Sequence, residues 1–426
     1  MDLSLPRGTS DLKPEDAIKL NELIKLTETV FKSYGFYPLE TPSLELTSTL
    51  TAKAYGEENT KGIFLIDGKQ EGLRYDLTVP LARYVASNKD ISLPFKRYQI
   101  GRVWRLDEPQ RMREREFIQA DIDIVGNTEI IAEAELISAT FLILKNFGLD
   151  NFKIYLNSRE LLSKILTVFK IEEKLQLDVM RILDKIDKIG LTETKSRIIA
   201  KGVDEKTAQE LLDLLRSDKV NAEWLAVLKN RVPDSTSETE KLETLISLLK
   251  IYNIENVFLD PSLSRGMDYY TGIVWEFVAY EEDRRLPTIA SGGRYDKLIG
   301  IYLNKEIPAV GSSIGITRLF SLLNKNNKKT YADVYVAYIG KESIEYALKI
   351  AIELRKKSIK VDMNMSERGI SKQLDYANSL KIPYVAIIGD REKSENKVTL
   401  KNMITGEEQL LDTNSLINYI VGNVIK

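Results

Sequence analysis

A cluster of arginines is the first feature of the sequence that could do chemistry. Residues 96–115 carry an excess of four positive charges. Arg105, Arg113 and Arg115 flank residues 108–110 (EPQ), a stretch typical of a loop between two strands. Such a loop can aim planar guanidinium groups at one triphosphate. Charge alone favours the other interpretation, a solvated charged hairpin.

A second candidate segment is SRGMDYYTG at residues 264–272. Its glycines allow close backbone approach, and Arg265, Tyr269 and Tyr270 offer a cation and phenolic hydroxyls. A turn followed by a strand explains the same residues, so composition leaves both interpretations open.

Two further segments combine glycines with an arginine. Residues 291–296 (SGGRYD) resemble a glycine turn before a helix, and residues 311–319 (GSSIGITRL) place Arg318 just after a strand-to-helix turn. A helix start of this kind can bind phosphate, although many such turns serve packing only.

The composition excludes several classes of chemistry. The 426 residues include no cysteine and no histidine. Thiol nucleophiles, disulfides, Ser-His-Asp triads and histidine-ligated zinc sites are therefore excluded. No GxxxxGK[ST] motif and no strand-linked GxGxxG motif is present. The net charge of −2 means that a nucleic-acid partner would have to be met by local basic patches.

Regular elements are predicted around these segments. Apolar residues recur at helical spacing in residues 14–33 and 129–147, and Pro14 suits a first helical turn. Short strand-like runs alternate with turns and one helix over residues 62–124, which predicts a mainly antiparallel sheet. Residues 36–46 contain two prolines and favour an edge strand or a turn.

The rest of the chain changes character twice. Helical periodicity dominates from about residue 170 to residue 250, and strand-like sequence resumes at residue 256, which indicates a helical insertion. Residues 324–330 are polar and basic and form the best linker in the chain. Beyond them, alternating strands and helices predict a small α/β domain with a mostly parallel sheet.

Together these segments, with LRYDLT at residues 73–78, resemble the class II aminoacyl-tRNA synthetases and, among them, the histidyl-tRNA synthetase family. The resemblance covers essentially the whole chain, from LPRGT at residues 5–9 onward. Residues 105–117 resemble class II motif 2, residues 309–319 motif 3, and the segment around Pro42 the dimer-forming motif 1. RGMDYYTG is the most specific part, because other class II enzymes do not share it.

The resemblance implies a fold in three parts. These are an α+β catalytic domain with a mainly antiparallel sheet of about six or seven strands, a helical insertion domain and a C-terminal α/β anticodon-binding domain. The implied boundaries are 1–170 with 251–325, then 171–250, then 331–426. Symmetric homodimers are the rule in this family.

The resemblance also implies an ATP-dependent ligase. In this family the histidine carboxylate attacks the α-phosphorus of ATP, pyrophosphate leaves, and histidyl-adenylate passes its histidine to the 3′ end of the tRNA. Positioning and stabilisation of phosphoryl charge supply most of the catalysis. A chain without histidine or cysteine is compatible with such chemistry.

Site residues follow by matching motifs. Arg105 and Arg265 are the implied catalytic cations at the α-phosphate, and Arg105, Asp107, Arg113 and Arg318 form the implied ATP site. The implied histidine site includes Arg265 and two residues for the α-amino group, Asp76 and Thr78. Gln119, Asp123 and Tyr270 would surround the imidazole, and Tyr269 would shape the pocket.

The implied partners are histidine, ATP and the tRNA for histidine. Mg²⁺ would enter as part of the ATP complex, and no metal site held by the protein is expected. No run approaches the roughly 18 apolar residues that span a bilayer, and the first residues have no apolar signal region. A cytoplasmic location without membrane attachment is therefore expected.

Two other functions fit a chain of this type. One is a synthetase-like regulatory paralogue that supports phosphoribosyl transfer in histidine biosynthesis, and the other is a sensor of uncharged tRNA. The first usually lacks the C-terminal domain, whereas residues 331–426 are present here, and the second predicts loss of arginines such as Arg105 and Arg318.

The absence of histidine suggests a hypothesis of its own. A chain that encodes no histidine can be translated when charged tRNA for histidine is scarce. Chance or composition bias is the alternative.

Overall fold

The computed structural model describes the whole chain except residues 1, 53–59, 89, 216–220, 265–267, 304, 324–328, 367 and 425–426, and of Val424 it describes only the backbone. The chain divides into two compact units. One comprises Met1–Ser10 with Leu23–Leu323, and the other comprises Asp11–Glu22 with Asn324–Lys426. Most of the predicted linker, residues 324–328, lies outside the described residues.

The first unit is built on one large sheet. Eight strands form it: β1 (Tyr37–Pro38), β4 (Phe95–Trp104), β5 (Glu116–Val125), β6 (Phe152–Ser158), β7 (Val257–Leu259), β8 (Ile273–Glu281), β9 (Arg284–Arg294) and β10 (Ala309–Gly315). A separate two-stranded sheet pairs β2 (Leu44–Leu46) with β3 (Glu71–Leu73).

The strand order of the large sheet is β1-β4-β5-β10-β9-β8-β6-β7. Only the two edge pairs, β1 with β4 and β6 with β7, are parallel. The prediction of a mainly antiparallel sheet is therefore confirmed. The sheet has eight strands, one more than the expected six or seven. The short edge strand β1, which contains Pro38, and the three-residue β7 add to the central strands.

The centre of this sheet depends on close backbone approach. Trp275 is fully buried on β8, and a Cβ added to Gly292 on β9 would lie 2.4 Å from its ring. A side chain at that position would push β9 away from both neighbours. Small residues therefore allow β8, β9 and β10 to pack as one continuous surface.

Helices form where the apolar spacing predicts them. The helix Pro14–Ser33 begins at its proline, carries Glu15 and Asp16 in its first turn and ends with Lys32 in its last turn, as the helix dipole favours. The remaining helices of this part of the chain are Thr47–Thr51, Thr78–Ser87, Ile131–Asn146, Arg159–Val168 and Ile316–Leu322.

The described residues of the predicted insertion form five helices joined by short turns. Its helices are Glu173–Leu183, Ile186–Ala200, Glu205–Leu215, Asn221–Arg231 and Thr236–Ile251. It belongs to the same compact unit as the large sheet. Its chain returns to the sheet through β7, which pairs with β6.

The second unit contains a separate five-stranded sheet with the order β12-β11-β13-β14-β15. The strands are β11 (Val334–Tyr338), β12 (Val361–Met363), β13 (Tyr384–Ile388), β14 (Lys397–Asn402) and β15 (Glu408–Asp412). Its helices are Ile344–Lys356, Ile370–Ser379, Asp390–Glu395 and Thr413–Val424.

The two faces of this second sheet bury alternate residues of β11. Val334 and Val336 belong to one apolar cluster, and Tyr335 and Ala337 belong to another. Such alternation requires cover on both faces, as in an α/β domain. The prediction of a mostly parallel sheet is wrong for half of the strand pairs. The pairs β12-β11 and β11-β13 are parallel, whereas β14 and β15 extend the sheet beyond β13 by two antiparallel pairs.

Within the described part of the chain, no helix is both long and apolar enough to cross a membrane.

Candidate active site

One cavity of about 270 Å³ opens on the face of the large sheet. It is lined by residues of β5, β9 and β10, by the loop between β4 and β5, and by the segments around Asp76 and Tyr269. Every predicted site residue within the described residues lines it: Asp76, Thr78, Arg105, Asp107, Arg113, Gln119, Asp123, Tyr269, Tyr270, Arg318.

The remaining predicted site residue, Arg265, lies outside the described residues.

Two aromatic rings and a backbone carbonyl hold Arg105. Its guanidinium carbon lies 4.3 Å from the ring centre of Tyr75 and 5.1 Å from that of Phe117. Its Nε donates a hydrogen bond of 3.1 Å to the carbonyl oxygen of Tyr75. Stacking fixes the plane of the guanidinium group, so Arg105 presents a preorganised cation to the cavity.

The loop between β4 and β5 is a tight hairpin. Gln110 and Arg113 exchange two backbone hydrogen bonds, and Met112 between them has a φ of 64°. Arg113 pairs with Asp107 across the loop at 2.8 Å. The hairpin therefore holds its charged side chains in a defined arrangement, as the loop prediction required.

Arg318 connects three segments around the cavity. It lies on the short helix Ile316–Leu322 that follows β10. Its Nε donates to the carbonyl oxygen of Met112 in the hairpin at 3.3 Å, and its Nη1 donates to the carbonyl oxygen of Thr288 on β9. These bonds place its positive charge beside the hairpin arginines.

The side chain of Asp76 caps the N-terminus of the helix Thr78–Ser87. Its Oδ1 accepts hydrogen bonds from the backbone N–H groups of Thr78 at 3.1 Å and Val79 at 3.0 Å. These contacts fix the carboxylate of Asp76 beside the first turn of the helix, in the part of the cavity wall that also contains Thr78. An acidic group held in this way is suited to an ammonium ion.

Alternate residues of β5 form the floor of the cavity. Gln119 and Asp123 share one face of the strand, and the residue pairs across to β10 are Gln119 with Gly315 and Asp123 with Gly311. Gln119 Nε2 donates to Ser313 Oγ at 2.8 Å. Gly311 on β10 leaves room for the side chain of Asp123, because a Cβ at this position would collide with the carboxylate.

Asp123 lies in a buried network. Its Oδ2 is 2.7 Å from Nη2 of the fully buried Arg97, and its Oδ1 accepts a hydrogen bond from the hydroxyl of Tyr295. Burial raises the pKa of Asp123, while the positive charge of Arg97 acts in the opposite direction. Burial likewise raises the pKa of Tyr295 well above its ordinary value. Tyr295 therefore stays protonated and donates to the carboxylate.

Tyrosine rings packed at steep angles to one another form a further part of the cavity wall. The ring centres of Tyr269 and Tyr270 are 4.9 Å apart, and Tyr269 lies 5.8 Å from Tyr295. A Cβ on Gly293 would lie 2.7 Å from the ring of Tyr270, so the glycine makes space for this wall. The segment RGMDYYTG thus contributes aromatic surface to the cavity through its two tyrosines.

Sequence reasoning missed Asp121, which lies between Gln119 and Asp123 on the same face of β5 and also lines the cavity. The signal was available, because residues 119, 121 and 123 are polar and alternate with Ala120 and Ile122. Burial raises the pKa of Asp121 to about 7, although Arg97 and a hydrogen bond from Ser313 oppose the shift.

The sequence also contained no sign that Arg97 is buried. Arg97 belongs to the charged stretch of residues 96–115, yet its side chain is fully buried and forms an ion pair with Asp123. Its position on β4, directly opposite Asp123, explains the burial.

The cavity has a cationic part and an acidic part along β5. Phe117, which contacts Arg105, is followed on the same strand face by Gln119, Asp121 and Asp123. Same-face residues are separated by about 6.6 Å along a strand. A ligand with anionic groups at one end and cationic groups at the other therefore fits this arrangement. Among the described residues, no group of three acidic side chains is placed to hold a metal ion.

Two family models match the chain. The model described as Histidyl-tRNA synthetase matches residues 8–319, and the model described as Anticodon binding domain matches residues 333–423. Together they cover all three sheets and the helical segment between β6 and β7.

Curated relatives match over nearly their full length. A histidine–tRNA ligase of Bacteroides fragilis is 35% identical over 97% of this chain and 98% of its own. A protein of Bacillus cereus named histidine–tRNA ligase 1 is 37% identical over 99% of this chain and 100% of its own. Among solved structures, histidyl-tRNA synthetase from Nostoc sp. PCC 7120 matches with a TM-score of 0.86, 28% identity and 100% coverage of both chains.

Proposed function

The chain belongs to the histidyl-tRNA synthetase family, and from this premise we propose that its cavity is the site where histidine and ATP react before histidine passes to tRNA. The enzyme is an ATP-dependent ligase of histidine and its tRNA. The observation that carries the assignment of the site is the meeting of the hairpin arginines with the acidic face of β5 in one cavity.

The cationic part of the cavity is the proposed ATP site. Arg105 contacts the α-phosphate and the carboxylate of histidine, and its stacking between Tyr75 and Phe117 supports this role because the guanidinium plane is fixed. Arg113 and Arg318 bind the β- and γ-phosphates, and Asp107 orients Arg113 through their ion pair. Mg²⁺ accompanies ATP as part of the substrate.

The acidic part is the proposed histidine site. Asp76 and Thr78 receive the α-amino group, since a carboxylate fixed by two backbone N–H groups suits an ammonium ion. Gln119, Asp123 and Tyr270 surround the imidazole, and Tyr269 shapes the wall beside it.

In the proposed reaction an oxygen of the histidine carboxylate forms a bond to the α-phosphorus as the bond to the leaving pyrophosphate breaks. No proton has to be removed from the nucleophile, so the side chains act by position and charge. Arg105 is one catalytic residue in this scheme, and Arg265 is proposed as the second cation at the α-phosphate.

The remaining assignments concern the whole chain. We propose catalytic segments at 1–170 and 251–325, a helical insertion at 171–250 and an anticodon-binding domain at 331–426. Exposed apolar side chains near the proposed motif 1, including Tyr37, Leu44 and Leu46, are compatible with a homodimer. The cytoplasm is the proposed location.

Exchange of labelled pyrophosphate into ATP tests the proposed activation step. Exchange is expected with histidine and with no other standard amino acid. Arg105→Ala is expected to lower the rate at least about 100-fold, because it removes a preorganised donor to developing phosphoryl charge. Arg391→Ala is the matched control, since Arg391 is an exposed arginine paired only locally with Glu395.

Two results would contradict the proposal. Exchange that persists in Arg105→Ala would show that this arginine has no catalytic role. A folded chain that binds ATP but exchanges with no amino acid would favour the regulatory paralogue or the tRNA sensor, and tRNA binding would separate these two.

A further inference from the structure

The first residues of the chain fold against the hairpin that carries proposed ATP contacts. Residues 6–10 (PRGTS), here called the N-terminal strap, belong to the same compact unit as the large sheet. The carbonyl oxygen of Pro6 accepts from the backbone N–H of Thr9 at 3.1 Å and from its hydroxyl at 2.8 Å. Gly8 lies at the third position of this tight turn with a φ of 83°, a conformation that favours glycine. The strap is therefore held in one shape by its own hydrogen bonds.

A backbone hydrogen bond joins the N-terminal strap to the hairpin. The N–H of Arg115 donates to the carbonyl oxygen of Gly8 at 2.8 Å. The carbonyl oxygen of the same Arg115 accepts from the backbone N–H of Arg105 at 2.9 Å. A single residue therefore connects the strap to the backbone of the proposed catalytic arginine.

The hairpin fills the space around Gly8. A Cβ built on Gly8 would lie 2.8 Å from Cγ of Arg115 and 2.9 Å from Cγ of Pro109. Neither atom is the free end of a flexible side chain, so a methyl group here would push the strap and the hairpin apart. The contact between them therefore depends on a glycine at position 8.

Two side-chain contacts extend this interface to both arms of the hairpin. Arg7 Nη2 lies 2.8 Å from Glu108 Oε2 in the arm that leads into the turn. The hydroxyl of Ser10 donates to Oε1 of Glu114, in the returning arm, at 2.9 Å. Both contacts are exposed, so each contributes little by itself. Together with the contacts of Gly8 they restrain both arms of the hairpin.

The position of the hairpin decides where several proposed ATP contacts lie. The hairpin carries Arg113 with its ion-pair partner Asp107, at 2.8 Å. It also carries the carbonyl oxygen of Met112, which accepts from Arg318 Nε at 3.3 Å. All four residues line the cavity. A displaced hairpin would therefore move Arg113 and weaken one of the hydrogen bonds that hold Arg318.

We propose that the N-terminal strap positions the ATP site, and that Gly8 is a positioning residue which keeps the hairpin in the arrangement that binds the triphosphate. This inference rests on the proposed function. All five strap residues are described, and none of them lines the cavity, so the strap acts through the hairpin.

The proposed histidine contacts do not depend on the hairpin in the same way. They lie on β5, on the segment around Asp76 and on the segment around Tyr269. The guanidinium group of Arg105 is held by the rings of Tyr75 and Phe117, which lie outside the hairpin. Loss of the strap contact should therefore weaken ATP binding and leave histidine binding largely unchanged.

Pyrophosphate exchange by full-length Gly8→Ala tests the proposal. We expect the KM for ATP to rise about tenfold, while the KM for histidine and the rate at saturating substrates change less than about twofold. Gly148→Ala is the matched control, since Gly148 has a φ of 73° and nothing lies within 4 Å of a Cβ built there. This control introduces the same backbone strain without a collision and should leave the KM for ATP unchanged.

A second variant removes only exposed side-chain contacts and is therefore expected to fold. Arg7→Ala/Ser10→Ala should raise the KM for ATP about threefold, because two exposed contacts between the strap and the hairpin are lost. Arg391→Ala/Ser394→Ala, at two exposed positions of the second unit, is its control and should leave this KM unchanged.

The same KM for ATP in Gly8→Ala and Gly148→Ala would overturn the inference. So would an equal rise in the KM values for ATP and histidine, because a merely structural role of the strap would affect both. If Gly8→Ala does not fold, an unchanged KM for ATP in Arg7→Ala/Ser10→Ala overturns it. These results leave the proposed function intact as long as the wild type shows histidine-dependent exchange, and a wild type without exchange would overturn both.

Discussion

Asp123 depends on a glycine of the neighbouring strand. A Cβ built on Gly311 would lie 2.0 Å from Asp123 Oδ1, the oxygen that accepts from Tyr295. Gly311→Ala is therefore expected to displace Asp123, raise the KM for histidine and lower the free energy of unfolding by about 2 kcal/mol. Histidine-dependent exchange and thermal unfolding measure the two effects.

Gly369→Ala provides the matched control. Nothing lies within 4 Å of a Cβ at Gly369, and its φ of −59° suits alanine. An unchanged KM in Gly311→Ala would show that Asp123 does not contact histidine in the way proposed.

Asp121 makes the stability of the ligand-free chain depend on pH. Its folded-state pKa of about 7 lies above the value of about 3.9 expected in the unfolded chain. The stability that its neutral form contributes is fully present below the unfolded pKa and is lost as the pH rises to about 7. Asp121→Asn should therefore stabilise the empty protein increasingly from about pH 4 to pH 7, by on the order of 4 kcal/mol at the plateau.

Denaturant unfolding of both chains between pH 5 and pH 8 checks this expectation. A gain that is independent of pH would contradict a raised pKa for Asp121. The same carboxylate would then be ionised in the empty cavity, and Arg97 and the hydrogen bond from Ser313 would have to compensate for its burial.

Some residues of the site could be predicted from the sequence, and others could not. Gln119 and Asp123 were recognised because they match a family motif. Asp121 was missed because buried polar residues on a central strand look the same in sequence whether they face a ligand or a structural partner. Arg97 shows the second case, since its partner Asp123 lies on another strand.

An ion pair connects the helical insertion to the segment that carries Tyr269 and Tyr270. Arg181, on the helix Glu173–Leu183, contacts Asp268 through Nη2 at 2.5 Å and through Nε at 3.3 Å. The hydrogen bond to Asp268 raises the pKa of Arg181 above its already high value, so the pair stays charged. Asp268 directly precedes the two tyrosines of the cavity wall.

Arg181→Ala should loosen this wall. We expect the KM for histidine to rise about fivefold while the rate at saturating histidine changes little, because a partly exposed ion pair contributes only about 1 kcal/mol. Arg197→Ala, which removes an exposed pair with Glu193 in the same helical segment, is the control. Equal KM values for both variants would mean that the insertion does not position the tyrosines.

Periodicity predicted the helices well, because an amphipathic helix records its burial in local sequence. The helix predicted at residues 14–33 matches Pro14–Ser33, and the one predicted at residues 129–147 matches Ile131–Asn146. The parallel edges of the large sheet were not predicted. Pairing of β1 with β4 and of β6 with β7 depends on contacts between segments distant in sequence, which local patterns do not record.

The whole chain contains no histidine. If this absence protects synthesis of the enzyme when charged tRNA for histidine is scarce, introducing histidine codons into its gene should reduce enzyme accumulation during histidine starvation. Exposed positions such as Lys357, Lys372 and Glu407 accept them without disturbing the fold. Glutamine codons at the same positions are the control, and equal accumulation of both versions would contradict the hypothesis.

In the proposed function one chain activates histidine in this cavity and delivers it to tRNA. Transfer of labelled amino acids to tRNA by the full-length protein, with ATP and Mg²⁺, measures both steps together. Histidine alone is expected to become esterified to tRNA, and Arg105→Ala is expected to abolish the transfer. Histidine-dependent pyrophosphate exchange without any transfer, or transfer of another amino acid, would contradict the proposed function.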